Sequence, residues 1–435
     1  MNHAMQYIST RGGVPVSIEQ AIMSGTAPDG GLYVPTSLPT TQPSDFAGRE
    51  TLPDIAEQLL TPFFAGSTLA GRLGDICRQA LDFPVPLREI ESGQLSVLEL
   101  FHGPTAAFKD VGARFLAGSM ERIIGDGRFA TPPVTIMVAT SGDTGGAVAS
   151  AYYQRPGMRV VVLFPLGRVS PRQQHQLTCW GDNVISLAVR GEFDDCQRLV
   201  KEAFADQQLS RTHRLCSANS INVGRLLPQA AYYAKASLEH WRKTGQPLSF
   251  VIPTGNLGNG FACVWARHLG LPIDRIVLAT NANTPIEDYL ATGQWLPRPS
   301  IATLASAMDV GNPSNMERLR QLCGDITTLR EEVSAAAVSD AEIRSSLCDE
   351  FKRHGIAWCP HTATGLHVYR GLSSAERSQR HWAVVATAHA AKFDTVVEPL
   401  LGCDITPPAE LAALLALPSS FATIDAKLAD LASQL

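Results

Sequence analysis

Residues 134–153 read VTIMVATSGDTGGAVASAYY, and this stretch decides the fold. Val134 to Thr140 is an apolar, β-branched run too short for a buried helix. A Gly-rich turn follows, and beyond it small and apolar residues recur at helical spacing, so the whole reads strand, turn, helix. The same theme recurs along the chain. RVVVLFP (Arg159–Pro165) and VISLAV (Val184–Val189) are further strand-like runs, SFVIP (Ser249–Pro253) leads into TGNLGNGFACVWARHLG, and RIVLAT (Arg275–Thr280) and AVVATA (Ala383–Ala388) follow. Wholly apolar strands alternating with helices are buried on both faces, which predicts parallel sheets in a doubly wound α/β architecture. Ligands of such sheets bind beyond the carboxyl ends of the strands.

The first 95 or so residues lack this rhythm and are expected to form a separate, mostly helical unit. The expected partition is 1–95, 96–250 and 251–435, the last including the C-terminal part of the larger of two doubly wound parallel-sheet domains. At 435 residues, 45% hydrophobic and 18% charged, the composition is that of an ordinary globular protein with room for more than one domain. Its formal charge of −5 comes from 41 acidic and 36 basic residues, with no basic cluster, so a small-molecule partner is expected rather than nucleic acid. Nine cysteines without a CxxC pair or metal-ligand spacing argue against a disulfide framework and against a metal site. The N-terminus MNHAMQYISTRGG has no signal-peptide layout, and no run approaches the roughly 20 apolar residues that span a bilayer. A cytoplasmic location is expected. Oligomeric state stays open, a monomer and a weak dimer both fitting.

Three segments can carry chemistry, two of them turns that follow strands. TGNLGN (Thr254–Asn259) leaves a strand and opens a helix, so its backbone N–H groups and the helix dipole converge on an anion. Such a turn also serves merely to reverse a chain, and it is neither a Walker A loop nor GxGxxG. TSGDTGG (Thr140–Gly146) brings hydroxyls and amides to one spot, which suits a carboxylate or phosphate; helix capping by Ser and Asp is the plainer alternative. SANSINVGRLLPQ (Ser217–Gln229) sets Asn219, Ser220 and Asn222 ahead of Arg225, a donor group suited to phosphate, although a single arginine is commonly a solvated surface residue.

A fourth segment, FHGPTAAFKD (Phe101–Asp110), places Lys109 where a helical pattern begins. Cations are disfavoured at that end of a helix. Either Asp110 and solvent take care of the charge, or the amine is wanted there as a neutral nucleophile. With one anion nest for a cofactor phosphate and a second for a substrate, a lysine of lowered pKa points to Schiff-base chemistry on pyridoxal phosphate.

These segments resemble, in the same order, the motifs of the threonine synthase family, pyridoxal-phosphate enzymes of the tryptophan-synthase β-subunit fold. YISTRGG and APDGGLYVP resemble its N-terminal signatures, and SAMDVGNPSNMER (Ser306–Arg318), PHTATG (Pro360–Gly365) and TAHAAKF (Thr387–Phe393) complete a match from about residue 7 to 400. The resemblance implies two domains enclosing pyridoxal 5'-phosphate, with Lys109 as the Schiff-base lysine that also shuttles protons. It implies that Gly255, Asn256, Leu257, Gly258 and Asn259 hold the cofactor phosphate, that Asp143 faces the ring hydroxyl where relatives often carry Asn, and that Thr387 meets the pyridine nitrogen. Ser141 and Thr144 are implied for the substrate carboxylate, and Asn219, Ser220 and Arg225 for its phosphate. The implied reaction converts O-phospho-L-homoserine and water to L-threonine and phosphate. A phospho-lyase or dehydratase of the same fold is the alternative within the class, and a non-catalytic scaffold the alternative outside it. Cys359 stands before Pro360 where Asp is expected, and Ala390 where Pro is common. His361, His389 and Lys392 fall inside the motifs, either as structural polar residues or as catalytic ones, while Met308 and Asp309 are expected to shape the site wall.

Overall fold

The computed structural model describes residues 4–125 and 133–435; Met1 to His3 of the N-terminal stretch considered above lie outside them. Two sheets dominate. One has six strands in the spatial order Ser334–Ala337, Ile273–Thr280, Leu248–Pro253, Trp382–Ala386, Leu95–Glu99 and Leu87–Glu91. All its neighbours run parallel except the last pair, where Leu87–Glu91 folds back antiparallel along an edge. The other has five strands, all parallel, in the order Ala422–Asp425, Val184–Arg190, Met158–Pro165, Val134–Ala139 and Leu215–Ser217. In register, Val251 sits beside Val384, which sits beside Val97, and Ile136 sits beside Val160, which sits beside Val184.

Every residue of Leu248–Pro253, Trp382–Ala386 and Val134–Ala139 is buried. Such strands are covered on both faces by helices, which is why they carry no polar alternation. The expected doubly wound α/β architecture is therefore the observed one. The apolar runs read from the sequence are strands, but Leu95–Glu99, Leu215–Ser217, Ser334–Ala337 and Ala422–Asp425 are further strands that the reading did not single out.

The N-terminal region holds the helices Ile18–Ser24, Leu52–Leu60 and Leu73–Ala80 together with a three-stranded antiparallel sheet of Tyr7–Ser9, Gly12–Val16 and Tyr33–Pro35. Its helix Leu52–Leu60 begins with Thr51 capping Asp54 N and buries Ile55, Ala56 and Leu59. It packs on the helix Gln229–Thr244, where Arg242 donates to the carbonyls of Phe46 and Arg49 at 2.7 and 2.9 Å. The YISTRGG and APDGG segments knot together at the rim of the central cavity. Ser9 Oγ and Gly31 N donate to Asp29 Oδ1 at 2.8 and 2.9 Å, while Thr10 Oγ1 and Arg11 Nε reach Glu317 Oε1 at 2.6 and 3.0 Å.

Among the described residues no helix is long and apolar enough to cross a membrane, and no group of three or more His, Cys, Asp or Glu residues could hold a metal ion. All nine cysteines are free.

Candidate active site

The carboxyl ends of both sheets open onto one cavity of about 890 Å³. It is reached by the turns after Val134–Ala139 and Leu248–Pro253, by Thr387 just past Trp382–Ala386, and by Lys109 at the start of the helix Lys109–Gly125. All thirteen residues for which the resemblance implies a cofactor or substrate contact line this cavity, whereas Asn222, His389 and Lys392 do not.

The segment before Lys109 is tightly organised. Ala106 adopts φ +54°, and Phe108 N donates to Thr387 O at 2.8 Å while His389 N donates to Ala106 O at 3.0 Å, stitching the loop to the TAHAAKF segment. Asp110 is fully buried and accepts from Thr105 N and Thr105 Oγ1 at 2.9 and 2.7 Å. A Cβ on Gly103 would lie 2.5 Å from Asp110 Oδ2, so only glycine fits there. Asp110 thus spends its carboxylate on the turn and leaves Lys109 without its neighbour as a partner. Burial pulls Lys109 down to about 8, with Lys392 and Arg225 pressing the same way and Asp143 opposing them.

Asp143 opens the helix Asp143–Tyr152 but does not cap it; the N-cap is Gly142. Its Oδ1 instead accepts from Lys392 Nζ at 2.9 Å and from Gln173 Nε2 at 3.0 Å. Burial acts to raise its pKa, but Lys392, Lys109 and His361 overcome that and hold Asp143 well below the usual carboxylate range. The carboxylate is therefore ionised and acceptor-only. In the same turn Thr140 Oγ1 is taken up by the amides of Gly142 and Gly145, both at 2.9 Å. Thr140 holds the turn's shape, and Ser141 and Thr144 are the hydroxyls presented at the cavity.

The TGNLGN turn has the features of an anion nest. Leu257 takes φ +65°, the helix Gly258–His268 starts at the next residue, and its first intrahelical bond runs from Phe261 N to Leu257 O at 2.9 Å. The amides of Gly258, Asn259 and Gly260 consequently have no carbonyl within the helix. No acidic residue lies in the first turn, while Arg267 and His268 occupy the last, so the positive end of the dipole is not neutralised by the helix's own side chains. A Cβ on Gly255 would fall 2.6 Å from Met308 Cα, which shows how closely the 306–309 backbone approaches the turn. Asn259 supports the turn through Thr254 Oγ1, at 2.7 Å, and Pro253 O, at 2.9 Å.

A second anion-receiving group lies beside the first. Arg225 is buried, donates from Nη1 to Ala218 O at 2.5 Å, and has its Nε without any hydrogen-bond partner. Burial lowers it to about 10. Ser220 Oγ accepts from Asn256 Nδ2 at 2.7 Å and from Asn315 Nδ2 at 3.3 Å, and Asn219 lines the same wall. Asn222, by contrast, is consumed as the N-cap of the short helix Val223–Leu226 and by the carbonyls of Ile22 and Ser217.

Other residues of the site were not assigned from the sequence. Arg318 is fully buried with no carboxylate partner: its guanidinium donates to the carbonyls of Tyr33, Ser220 and Ile221 and to Asn315 Oδ1. His361 Nε2 accepts from Ala307 N at 3.1 Å, leaving its buried Nδ1 without a partner, and burial lowers the ring to about 4. His389 has a structural task, its Nδ1 accepting from Ala391 N at 3.2 Å. Cys359 is the N-cap of Pro360–Gly371, its Sγ accepting from Thr362 N at 3.4 Å, so a thiol fills the place where Asp was expected. Gln173 and Arg318 carried no chemical signal of their own in the sequence; only the resemblance of the SAMDVGNPSNMER segment flagged the region of Arg318.

The donor set fits pyridoxal phosphate: a buried lysine of lowered pKa, a helix N-terminus that supplies unpaired amides, and an ionised carboxylate in one cavity. Matches to known proteins agree. Residues 84–388 match the family described as pyridoxal-phosphate dependent enzyme, residues 6–81 the threonine synthase N terminus, and residues 362–434 the threonine synthase C-terminal family. The chain is 38% identical to a threonine synthase of Serratia marcescens, over 96% of this chain and 95% of that one. Its structure superposes on the threonine synthase of Escherichia coli with a TM-score of 0.90 and 36% identity, covering 99% of both chains. The pyridoxal-phosphate-bound threonine synthase of Brucella melitensis also gives 0.90, at 34% identity over 99% of this chain and 98% of that one. With matches of this kind along nearly the whole chain, the chain belongs to the threonine synthase family of pyridoxal-phosphate-dependent enzymes.

Proposed function

We propose that the protein converts O-phospho-L-homoserine and water to L-threonine and phosphate, the last step of threonine biosynthesis. The observation that carries this reading is the pairing of two anion-receiving groups, the Gly258–His268 helix N-terminus and the buried Arg225 with its free Nε, around one lysine in one cavity. A cofactor phosphate and a substrate phosphate need one each. A simple hydroxy-amino-acid dehydratase has use for only the first.

When bound, pyridoxal phosphate supplies an aldehyde for the substrate amine and a conjugated ring that accepts the electron pair of a broken C–H bond. The amides of the Gly255–Asn259 turn would hold its phosphate, Asp143 would face its ring hydroxyl, and Thr387 its pyridine nitrogen. Thr387, a neutral hydroxyl, would not hold a proton on that nitrogen as a carboxylate would. Lys109 Nζ, neutral above about pH 8, is the group that takes and returns protons at substrate carbons. Ser141 and Thr144 would grip the substrate carboxylate, and Asn219, Ser220 and Arg225 the phosphate that leaves. Water has to stay out until an unsaturated substrate exists, so closure of the cavity is part of the proposal. Identical protection of the cofactor turn from proteolysis with and without a substrate analogue would count against that closure. We also place the protein in the cytoplasm, a reading supported by nine unpaired cysteines.

The decisive experiment follows phosphate and threonine release from O-phospho-L-homoserine by the wild type and by Lys109→Ala. Equal amounts of both products, lost in the variant, are expected. Phosphate accompanied by a keto acid would instead make the protein a phospho-lyase.

A further inference from the structure

Lys392 is the one lysine among the described residues that has no exposed surface at all. Its Nζ makes two contacts: Asp143 Oδ1 at 2.9 Å and Thr105 O at 2.7 Å, the latter four residues before Lys109. The backbone around it is fixed as well. Ser170 Oγ donates to Lys392 O at 3.2 Å, and Arg172 donates to Ala391 O at 2.9 Å while pairing with Asp394 at 3.1 Å. The ammonium therefore joins the Lys109 loop to the Asp143 helix start, its backbone being tied to the start of the Pro171–Thr178 helix, and it cannot swing away without breaking both side-chain contacts.

A buried carboxylate beside a buried amine would ordinarily pair with it and keep it protonated. Here that carboxylate is already engaged by a second ammonium. We propose that Lys392 is a positioning residue for Lys109: by closing an ion pair with Asp143 it offsets that carboxylate's charge at Lys109, so that the carboxylate does not hold the reactive amine protonated. This rests on the reading of Lys109 as the cofactor-bearing amine. The charged groups facing Lys109 are Asp143, Lys392 and Arg225, with His361 also coupled to it. Those facing Lys392 are Asp143, Lys109, His361, His389 and Asp110, and the carboxylate of Asp110 is committed to Thr105. Asp143 is thus the anion that faces Lys109, and its charge works against the effect of burial there.

The sign of the effect separates this role from a merely structural one. In Lys392→Met the freed Asp143 stabilises positive charge on Lys109 Nζ; in Asp143→Asn the unpaired Lys392 opposes it. The test is the pH midpoint of the cofactor's visible band in the holoenzyme. It is expected to rise by about one pH unit or more in Lys392→Met and to fall by a similar amount in Asp143→Asn. The double variant, which removes both charges, is expected within about half a unit of wild type, and Lys392→Arg, which keeps the charge, should leave the midpoint unmoved. Midpoints that do not move, or that move the same way in both single variants, overturn the proposal, as does a Lys392→Arg shift equal to that of Lys392→Met. If a single variant does not fold, the double variant and Lys392→Arg still decide, because a displaced midpoint in either overturns the idea. Borohydride reduction and peptide mapping of the same samples separates the two readings. A label away from Lys109 defeats the proposed function, whereas a label on Lys109 with unmoved midpoints defeats this inference alone.

Discussion

Asn256 Nδ2 donates to Ser220 Oγ at 2.7 Å, and the two residues belong to the two different anion-receiving segments. The turn proposed for the cofactor phosphate and the wall proposed for the substrate phosphate are therefore one hydrogen-bonded unit. Asn315 completes it, donating to Ser220 Oγ at 3.3 Å and to Asn256 O at 3.0 Å. Replacing Asn256 by Ala removes the donor to Ser220 and the acceptor that Ser314 N uses at 2.6 Å. A hydrogen bond at a charged site is worth about 1.5–3 kcal/mol, so KM for the phosphorylated substrate should rise roughly 10–100-fold and cofactor affinity should fall with it. A double-mutant cycle with Ser220→Ala checks the coupling. Strict additivity of the two losses would show that the segments act independently.

Gly255 has no room for a side chain, since a Cβ would sit 2.6 Å from the Met308 main chain. Gly255→Ala must push apart the cofactor turn and the 306–309 segment. The Kd for the cofactor should rise at least about tenfold, because displacing a phosphate nest forfeits charge-assisted bonds. Titration of cofactor-stripped protein with pyridoxal phosphate, followed by absorbance, gives the answer directly. An unchanged Kd would place the phosphate elsewhere.

Lys109 gives the pH dependence its sign. Its amine is lowered to about 8 by burial, assisted by Lys392 and Arg225. In the cofactor-free protein the reactive neutral form therefore declines as pH falls below 8 and is nearly complete above it. The rate of reconstitution with pyridoxal phosphate should climb about tenfold per pH unit well below 8 and level off above it. The same depression makes the folded cofactor-free protein bind fewer protons at Lys109 than the unfolded chain between pH 8 and the ordinary lysine value. Stability from this group consequently rises with pH through that window. A rate that keeps climbing to pH 10 would show an ordinary lysine.

Asp110 supports the lysine loop rather than the lysine charge. Asp110→Ala leaves Thr105 N and Thr105 Oγ1 buried without acceptors and opens space against Gly103. The expected cost is about 2–4 kcal/mol of unfolding free energy, since each orphaned buried donor costs about 1–3 kcal/mol. Denaturant unfolding of the variant measures it. Loss of activity with wild-type stability would mean that Asp110 acts in the chemistry instead.

Arg225 and the glycine facing it make a paired prediction. A Cβ on Gly112 would meet Arg225 O at 2.6 Å and Nε at 3.2 Å, so Gly112→Ala shifts the arginine without altering its charge. Both Gly112→Ala and Arg225→Lys should raise KM by roughly tenfold or more, because an ammonium does not reproduce the planar fork that a phosphate accepts. Steady-state kinetics of the two variants settles this, and a full rescue by lysine would reduce Arg225 to a point charge.

The sequence by itself determined the elements whose signals are local. Apolar runs such as Val134–Ala139 and Leu248–Pro253 are strands because a strand buried on both faces must be apolar throughout. The Gly-rich turns that follow them mark helix starts, and the ordered motifs marked Lys109, Arg225 and the TGNLGN turn. Leu215–Ser217 and Ser334–Ala337 were not legible, being three and four residues long with their pairing partners far away in the chain. What only the tertiary structure decided is who faces whom. Lys392 meets Thr105 across 287 residues of sequence, and Asp143 turns to that lysine rather than capping its own helix. Cys359 and Thr140 prove to be builders of turns, while Arg318 proves to be a buried cation held by carbonyls. Hydrogen bonds and Coulomb forces depend on distance in space and on the solvent excluded between groups, and neither quantity is carried by the order of residues along a chain.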